Sequence, residues 1–195
     1  TYITPYAGPL PAGTVRPPLA PRVVVLLVHG LRLDASNQMP SLNALRQRGA
    51  NVIVESPAPT YRLPATYGWL TGATPDTHGV TTNDAQRLAV PETLFQSLQA
   101  AGRPTAIVGS SKWNDLFEGV TQRIEITDED DPALSDTQAV NLALQGLRDP
   151  QQQPAFMLIE FGLLEDVAQR DPASYASAAA ATDVRIQSII DVLDL

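Results

Sequence analysis

Val23-Val24-Val25-Leu26-Leu27-Val28 is an unbroken run of β-branched and leucine side chains with no polar alternation. A half-exposed strand would alternate, and a run this short does not make a surface helix. The pattern is that of a strand buried on both faces of a parallel sheet, so helices must lie above and below it. His29-Gly30 ends it. Upstream, Pro5, Pro9, Pro11, Pro17, Pro18 and Pro21 each fix φ and remove a backbone donor. Residues 1–22 therefore read as a proline-rich extended arm or linker, and residues 23–195 as one α/β domain.

The rest of the chain keeps this grammar. Pro40–Arg48 places Leu42 and Leu45 on one face and stops at Gly49, which predicts a short helix. Asn51–Glu55 predicts a second strand, and Ala65–Leu70 a short helix entered through Pro64. A helix is expected over Glu92–Ala101, a strand over Thr105–Val108 and a helix over Ser111–Phe117. A strand over Arg123–Ile126, a helix over Ser135–Leu147, a buried strand over Ala155–Phe161 and a long helix over Tyr175–Leu193 complete the series. Strands alternating with helices imply a mostly parallel sheet covered on both faces. Ligands in such sheets sit beyond the carboxyl ends of the strands, so the loops after Val28, Glu55, Val108 and Glu160 are where chemistry is expected.

Composition narrows the chemistry. With no cysteine among 195 residues there is no disulfide framework, thiolate zinc site or cysteine nucleophile. Thirteen basic against 21 acidic residues give a net charge of −8, and Lys112 with scattered arginines forms no basic patch, so nucleic acid is not an expected partner. No apolar run approaches the roughly 20 residues of a membrane-spanning helix. A serine triad also fails. Gly109-Ser110-Ser111-Lys112-Trp113 has Trp113 where a nucleophile elbow needs glycine, and no histidine follows His78.

Several motifs fall in order between Val23 and Asn83. The apolar strand runs into His29-Gly30-Leu31-Arg32-Leu33-Asp34. Met39-Pro40-Ser41-Leu42-Asn43-Ala44-Leu45 follows, then Pro59-Thr60-Tyr61-Arg62-Leu63-Pro64, then Thr71-Gly72-Ala73-Thr74-Pro75-Asp76-Thr77-His78-Gly79 and Asn83. This succession resembles the alkaline phosphatase superfamily, in its type I phosphodiesterase and nucleotide pyrophosphatase branch. A weaker match covers Phe156 to Asp183. The resemblance implies a three-layer α/β/α sandwich with the C-terminal part of the family fold absent, since the chain stops before the later metal motifs.

The family's chemistry rests on two divalent metal ions, held by aspartates and histidines, that activate a Thr or Ser nucleophile. Set against its pattern, His29 stands where a metal-binding aspartate is expected. Arg62 takes the place of the nucleophile, and a guanidinium neither attacks phosphorus nor tolerates a nearby cation. Glu165 and Gln169 fall on the D-x-x-G-H motif, with Gln169 in place of histidine. The resemblance thus implies a degenerate site without metal or other cofactor, with Arg62 paired to Glu165 or Asp166 in place of the lost cations. The plain alternative is an arginine facing solvent. Arg32, Asp34 and His78 are expected to be structural, and Asp183 is either on a solvated helix face or a remnant of the site.

The expected role is a non-catalytic accessory or scaffold subunit of a larger assembly, extracytoplasmic and membrane-associated by family resemblance. Protein subunits are the expected partners, with Tyr2, Tyr6 and Leu10 in the arm as candidate contacts. Two other readings stand beside it. One is a metal-dependent phosphodiesterase whose remaining ligands lie beyond Leu195, with His29 and Asp34 serving and water as nucleophile. The other is a small-anion-binding module centred on Arg62.

Overall fold

A computed structural model describes residues 20–84, 92–110, 122–126, 130–149 and 153–193; for residues 122–126 it describes the backbone. Four strands form the sheet: β1 (Val23–Val28), β2 (Thr105–Ser110), β3 (Gln122–Ile126) and β4 (Phe156–Phe161). Their order is β1-β4-β2-β3, and every pairing is parallel. Val23 lies opposite Phe156 and Val28 opposite Phe161, so the strands at the centre end level with each other. β4 lies between β1 and β2 and is buried at all six positions. The predicted α/β class and parallel sheet are thus present.

Helices cover both faces. On one side α2 (Pro40–Arg48), α6 (Pro132–Arg148) and α8 (Tyr175–Leu193) enclose Met157, Ile159 and Ala106 with Ile186, Ile189, Ala139 and Ala143. On the other, α3 (Arg62–Thr71) and α5 (Leu94–Ala100) bring Leu63, Tyr67, Leu70 and Phe95 against Ile107, Phe156 and Leu158. Period-2 alternation along β4 therefore feeds two cores, which is why five of its six residues are apolar. Phe95 meets Phe156 edge to face at 5.5 Å, and Trp69 stacks on Phe156 at 6.0 Å. Short helices α1 (Leu33–Ser36), α4 (Pro75–His78) and α7 (Leu163–Arg170) fill the connections at the carboxyl end of the sheet and beside it. Pro172–Ser174 forms a 3-10 turn into α8.

Helix starts explain several boundaries. Asp131 accepts from the Ala133 and Leu134 amides, so α6 begins three residues before the expected Ser135. Thr93 and Gln96 form a reciprocal capping box, so α5 starts at Leu94, two residues after the expected Glu92. The Asn83 side chain accepts from the Leu63 amide at 2.9 Å, so α3 opens at Arg62, ahead of the expected Ala65.

Two expectations are corrected. Asn51–Glu55 is not a strand: its backbone finds no partner strand among the described residues, and Val52, Ile53 and Val54 are 75%, 73% and 81% exposed. β1 is not covered on every side either, since it is an edge strand among the described residues and most of its residues are only half-buried. The arm residues Tyr2, Tyr6 and Leu10, and the helix expected at Ser111–Phe117, lie outside the described residues.

Candidate functional site

The carboxyl ends of β1, β2 and β4 bring together His29, Gly109, Glu160 and Gly162. Glu160 is a carboxylate in an otherwise apolar strand, with its side chain only 6% exposed. It is tolerated there because His29 Nε2 lies 3.3 Å from its Oε1. Gly109, on the neighbouring strand, leaves the space it occupies: a Cβ at 109 would stand 2.6 Å from Glu160 Oε2.

Arg62 reaches this end of the sheet from the first residue of α3. Its Nε donates to Glu165 Oε2 at 2.6 Å, and its NH2 makes a second contact with the same oxygen. The guanidinium passes over Gly162, where a Cβ would come within 3.1 Å of NH2. Both partners are largely shielded, with side chains 21% and 27% exposed, so the charge-assisted bond is stronger than a surface pair. Glu165 and Asp166 sit in the first turn of α7, where backbone N–H groups favour negative charge. Asp166 pairs with Arg170 one turn along.

Asp136 supports this corner from α6. Its carboxylate, 3% exposed, accepts from the Gly162 amide at 2.8 Å and the Leu163 amide at 3.2 Å, closing the start of α7. Burial pushes its pKa up; the two amides oppose the shift, as do the Arg185 and Arg62 charges. Asp183, also buried, does the same for α2. It accepts from the Ser41 amide and hydroxyl and from the Leu42 amide, an N-terminal cap supplied by a different helix. Asp183 is thus not on a solvated face.

Tyr175, the first residue of α8, holds the loop after β1. Its hydroxyl donates to the Gly30 carbonyl at 2.7 Å and accepts from the Arg32 amide at 2.9 Å. Gly30 itself has φ +73°, and a Cβ there would lie 2.6 Å from the Glu165 backbone. Arg32 stacks its guanidinium 5.5 Å above the Tyr175 ring and pairs with Asp34. The pair is well exposed, and the Arg32 hydrogen bond holds the Asp34 carboxyl below its usual range. His78 lies apart from the strand ends, fully buried against Tyr67. Its Nδ1 accepts from the Val80 amide at 3.1 Å, so Nε2 carries the proton when the ring is neutral.

Of the residues singled out from sequence, the fold joins His29, Arg62 and Glu165 at one end of the sheet. It leaves Gln169 exposed on the last turn of α7, Arg32 and Asp34 at the start of α1, and His78 beside Tyr67 of the second core. Glu160, Asp136 and Tyr175 were not singled out as site residues. For Glu160 the one sequence signal was a charge inside an apolar run.

Residues 23–121, just over half of the chain, match the type I phosphodiesterase / nucleotide pyrophosphatase family. The chain belongs to that family. A human protein, GPI ethanolamine phosphate transferase 2, catalytic subunit, is 28% identical over 112 residues, which is 53% of this chain and 11% of the human protein. Among solved structures, murine ectonucleotide pyrophosphatase/phosphodiesterase 5 superposes with a TM-score of 0.66 at 14% identity, over 89% of this chain and 52% of that one. An inactive variant of the same murine protein, in complex with AMP, gives 0.69 at 14% identity over 90% and 53%. A sulfatase-like protein from Bacteroides thetaiotaomicron gives 0.67 at 13% identity over 89% and 54%. The chain thus spans about half the length of these solved relatives and a small part of the human one. They establish an alkaline phosphatase-like fold for a phosphodiesterase-like domain.

The site residues do not fit a pair of divalent metal ions. Among the described residues no three His, Asp or Glu side chains converge on one point. Glu165 is bound to Arg62, Asp136 to the start of α7 and Asp183 to the start of α2. A guanidinium standing over Gly162 repels any cation brought to that corner.

Proposed function

We propose that this is a non-catalytic member of its family, an alkaline phosphatase-like domain that serves as an accessory or scaffold subunit of a larger, membrane-associated extracytoplasmic assembly. The observation that carries the reading is the Arg62–Glu165 bond over Gly162. Arg62 occupies the place in the P-T-x-T-x-P pattern where the family carries its nucleophile, and it supplies a fixed positive charge beside carboxylates that metal would otherwise neutralise. His29 and Gln169 stand at positions of expected metal ligands, and Gln169 is exposed on the last turn of α7.

The human relative is by name the catalytic subunit of a larger enzyme, which supports placement in an assembly but not the accessory role. No helix among the described residues is long and apolar enough to cross a membrane, so attachment to a membrane would come from elsewhere or from a partner. A small-anion site at Arg62 is less favoured, because Glu165 already takes the guanidinium and Glu160 lies at the same end of the sheet.

The full-length protein purified from its own membranes tests the proposal. Metal analysis after gel filtration is expected to find no stoichiometric zinc, manganese or calcium, and bis(p-nitrophenyl) phosphate with added zinc is expected to give no turnover above buffer. A second polypeptide is expected to co-elute. Two equivalents of bound metal with phosphodiester turnover would overturn the non-catalytic reading, and elution as a single free chain would overturn the accessory one.

A further inference from the structure

A groove of about 740 Å³ lies between α8 and the turn that leads from α1 into α2. Met39 and Pro40 line one side; Pro172, Ala176, Ala180 and Val184 line the other, and Val184 is 68% exposed. From Pro172 to Val184 the second wall runs about 19 Å at helical rise. The polar groups of the groove are not evenly matched. Arg32 is fixed by stacking on Tyr175 and gives its Nε and Nη2 to Asp34, so its Nη1 is left to donate elsewhere. Gln38 adds a side-chain amide. The carboxylates that line the groove, Asp34 and Asp183, already accept hydrogen bonds. The complement of such a groove is a segment with an apolar edge, many carbonyl acceptors and few N–H donors.

The chain contains one. Residues 1–19, which precede the described residues, hold five prolines and a single charge, Arg16. Proline offers a carbonyl without an N–H and favours the polyproline II helix, which has three residues per turn. At that period Ile3, Tyr6, Pro9, Ala12, Val15 and Pro18 fall on one edge, and all six are apolar. Arg16 and every threonine of the segment fall on the other two edges. Ile3 to Pro9 spans about 19 Å in this conformation, the length of the groove wall. Pro9 to Ala20 spans up to about 34 Å, against about 20 Å along β1 to the loop that carries Arg32, so the segment reaches the groove. Charge agrees with the match: two carboxylates line the groove beside one guanidinium, and Arg16 is the one charge of the arm.

We propose that residues 3–9 of the proline-rich arm dock in this groove of their own chain as a polyproline II segment, with the Ile3–Tyr6–Pro9 edge on the α8 wall and main-chain carbonyls accepting from Arg32 and Gln38. Little conformational freedom is lost on docking, because proline restricts φ beforehand. The docked arm covers the exposed face of α8 and ties the start of the chain to the loop after β1. The arm of a second copy is the weaker occupant, since two chains of net charge −8 repel each other.

Two measurements on the full-length protein decide it. Residues 1–195 contain no cysteine, so Ala180→Cys places a defined thiol on the groove wall, and its labelling is read on its own peptide by mass spectrometry. Its reaction with a maleimide is expected to be slower by about tenfold or more than that of Ala181→Cys, the exposed neighbour outside the groove. Tyr6→Asp in the arm is expected to bring the two rates within about twofold of each other. Equal rates without Tyr6→Asp, or slow labelling that Tyr6→Asp leaves in place, would overturn the proposal. A photo-crosslinking residue in place of Tyr6 is expected to form an adduct within the same chain, to a peptide from residues 35–40 or 172–184. An adduct to another polypeptide, a band of twice the chain mass, or no adduct above background would overturn it.

Discussion

Arg62 and Glu165, 103 residues apart in the chain, are joined by a 2.6 Å bond from Nε to Oε2 and a second contact from NH2 to the same oxygen. The bond ties the first turn of α3, on one face of the sheet, to the first turn of α7 beyond its carboxyl end. Arg62→Ala leaves a shielded carboxylate without its cation, so a loss of about 1 to 3 kcal/mol in unfolding free energy is expected. In a double-mutant cycle with Glu165→Ala, urea denaturation is expected to give a coupling energy of about 1 to 2 kcal/mol. Coupling below about 0.3 kcal/mol would make the pair a bystander. Chelators are expected to leave all four midpoints unchanged.

The two glycines at the site differ in what a methyl group meets. At Gly30 the backbone is left-handed and the obstacle is the Glu165 main chain, 2.6 Å from the new Cβ, which cannot move without shifting α7. At Gly109 the obstacle is the Glu160 carboxylate tip, also at 2.6 Å, on a flexible side chain. Gly30→Ala is therefore expected to cost about 2 to 4 kcal/mol. Gly109→Ala is expected to cost less while displacing Glu160 from His29, visible as a change in the His29 imidazole chemical shifts by NMR. Equal losses of stability would contradict this account.

Segments with an apolar face at helical spacing were readable in the sequence, because their partners are the sheet as a whole. Pro40–Arg48 and Tyr175–Leu193 have the bounds expected from their apolar spacing. Asn51–Glu55 was misread because a strand is a relation between two segments, and its composition says nothing about whether a partner is present. The site divides in the same way. Arg62 was legible because it breaks a motif, whereas Glu160, Asp136 and Tyr175 act through contacts 131, 26 and 145 residues away. Tyr175 reads as an ordinary core aromatic until its hydroxyl is placed on the Gly30 carbonyl.

His78 gives the protein an acid-sensitive element. Burial lowers its pKa from 6.5, against a smaller opposing effect of the Pro64 carbonyl. The folded state then binds fewer protons than the unfolded chain below about pH 6.5, so the contribution is present above that pH and is lost as pH falls through the window beneath it. Urea midpoints are expected to fall on acidification from pH 7 to 5, and His78→Gln is expected to flatten that slope. An unchanged slope in the variant would place the acid sensitivity elsewhere.

Asp136 has the opposite sign. Its folded pKa is raised above 3.8, so the folded state holds the proton more tightly; the favourable contribution is full below pH 3.8 and is lost as pH rises through the raised value. Its two oxygens nonetheless hold the Gly162 and Leu163 amides. Asp136→Ala strips acceptors from the Gly162 and Leu163 amides and is expected to cost about 2 to 4 kcal/mol at pH 7. Asp136→Asn keeps one acceptor oxygen, and a smaller loss of about 1 to 2 kcal/mol is expected. The asparagine variant carries no titrating group, so its stability relative to the wild type is expected to improve steadily as pH rises from 3.5 through the Asp136 transition. A constant difference across that range, measured by urea denaturation, would mean that Asp136 does not titrate there and that its cost is only one of lost hydrogen bonds.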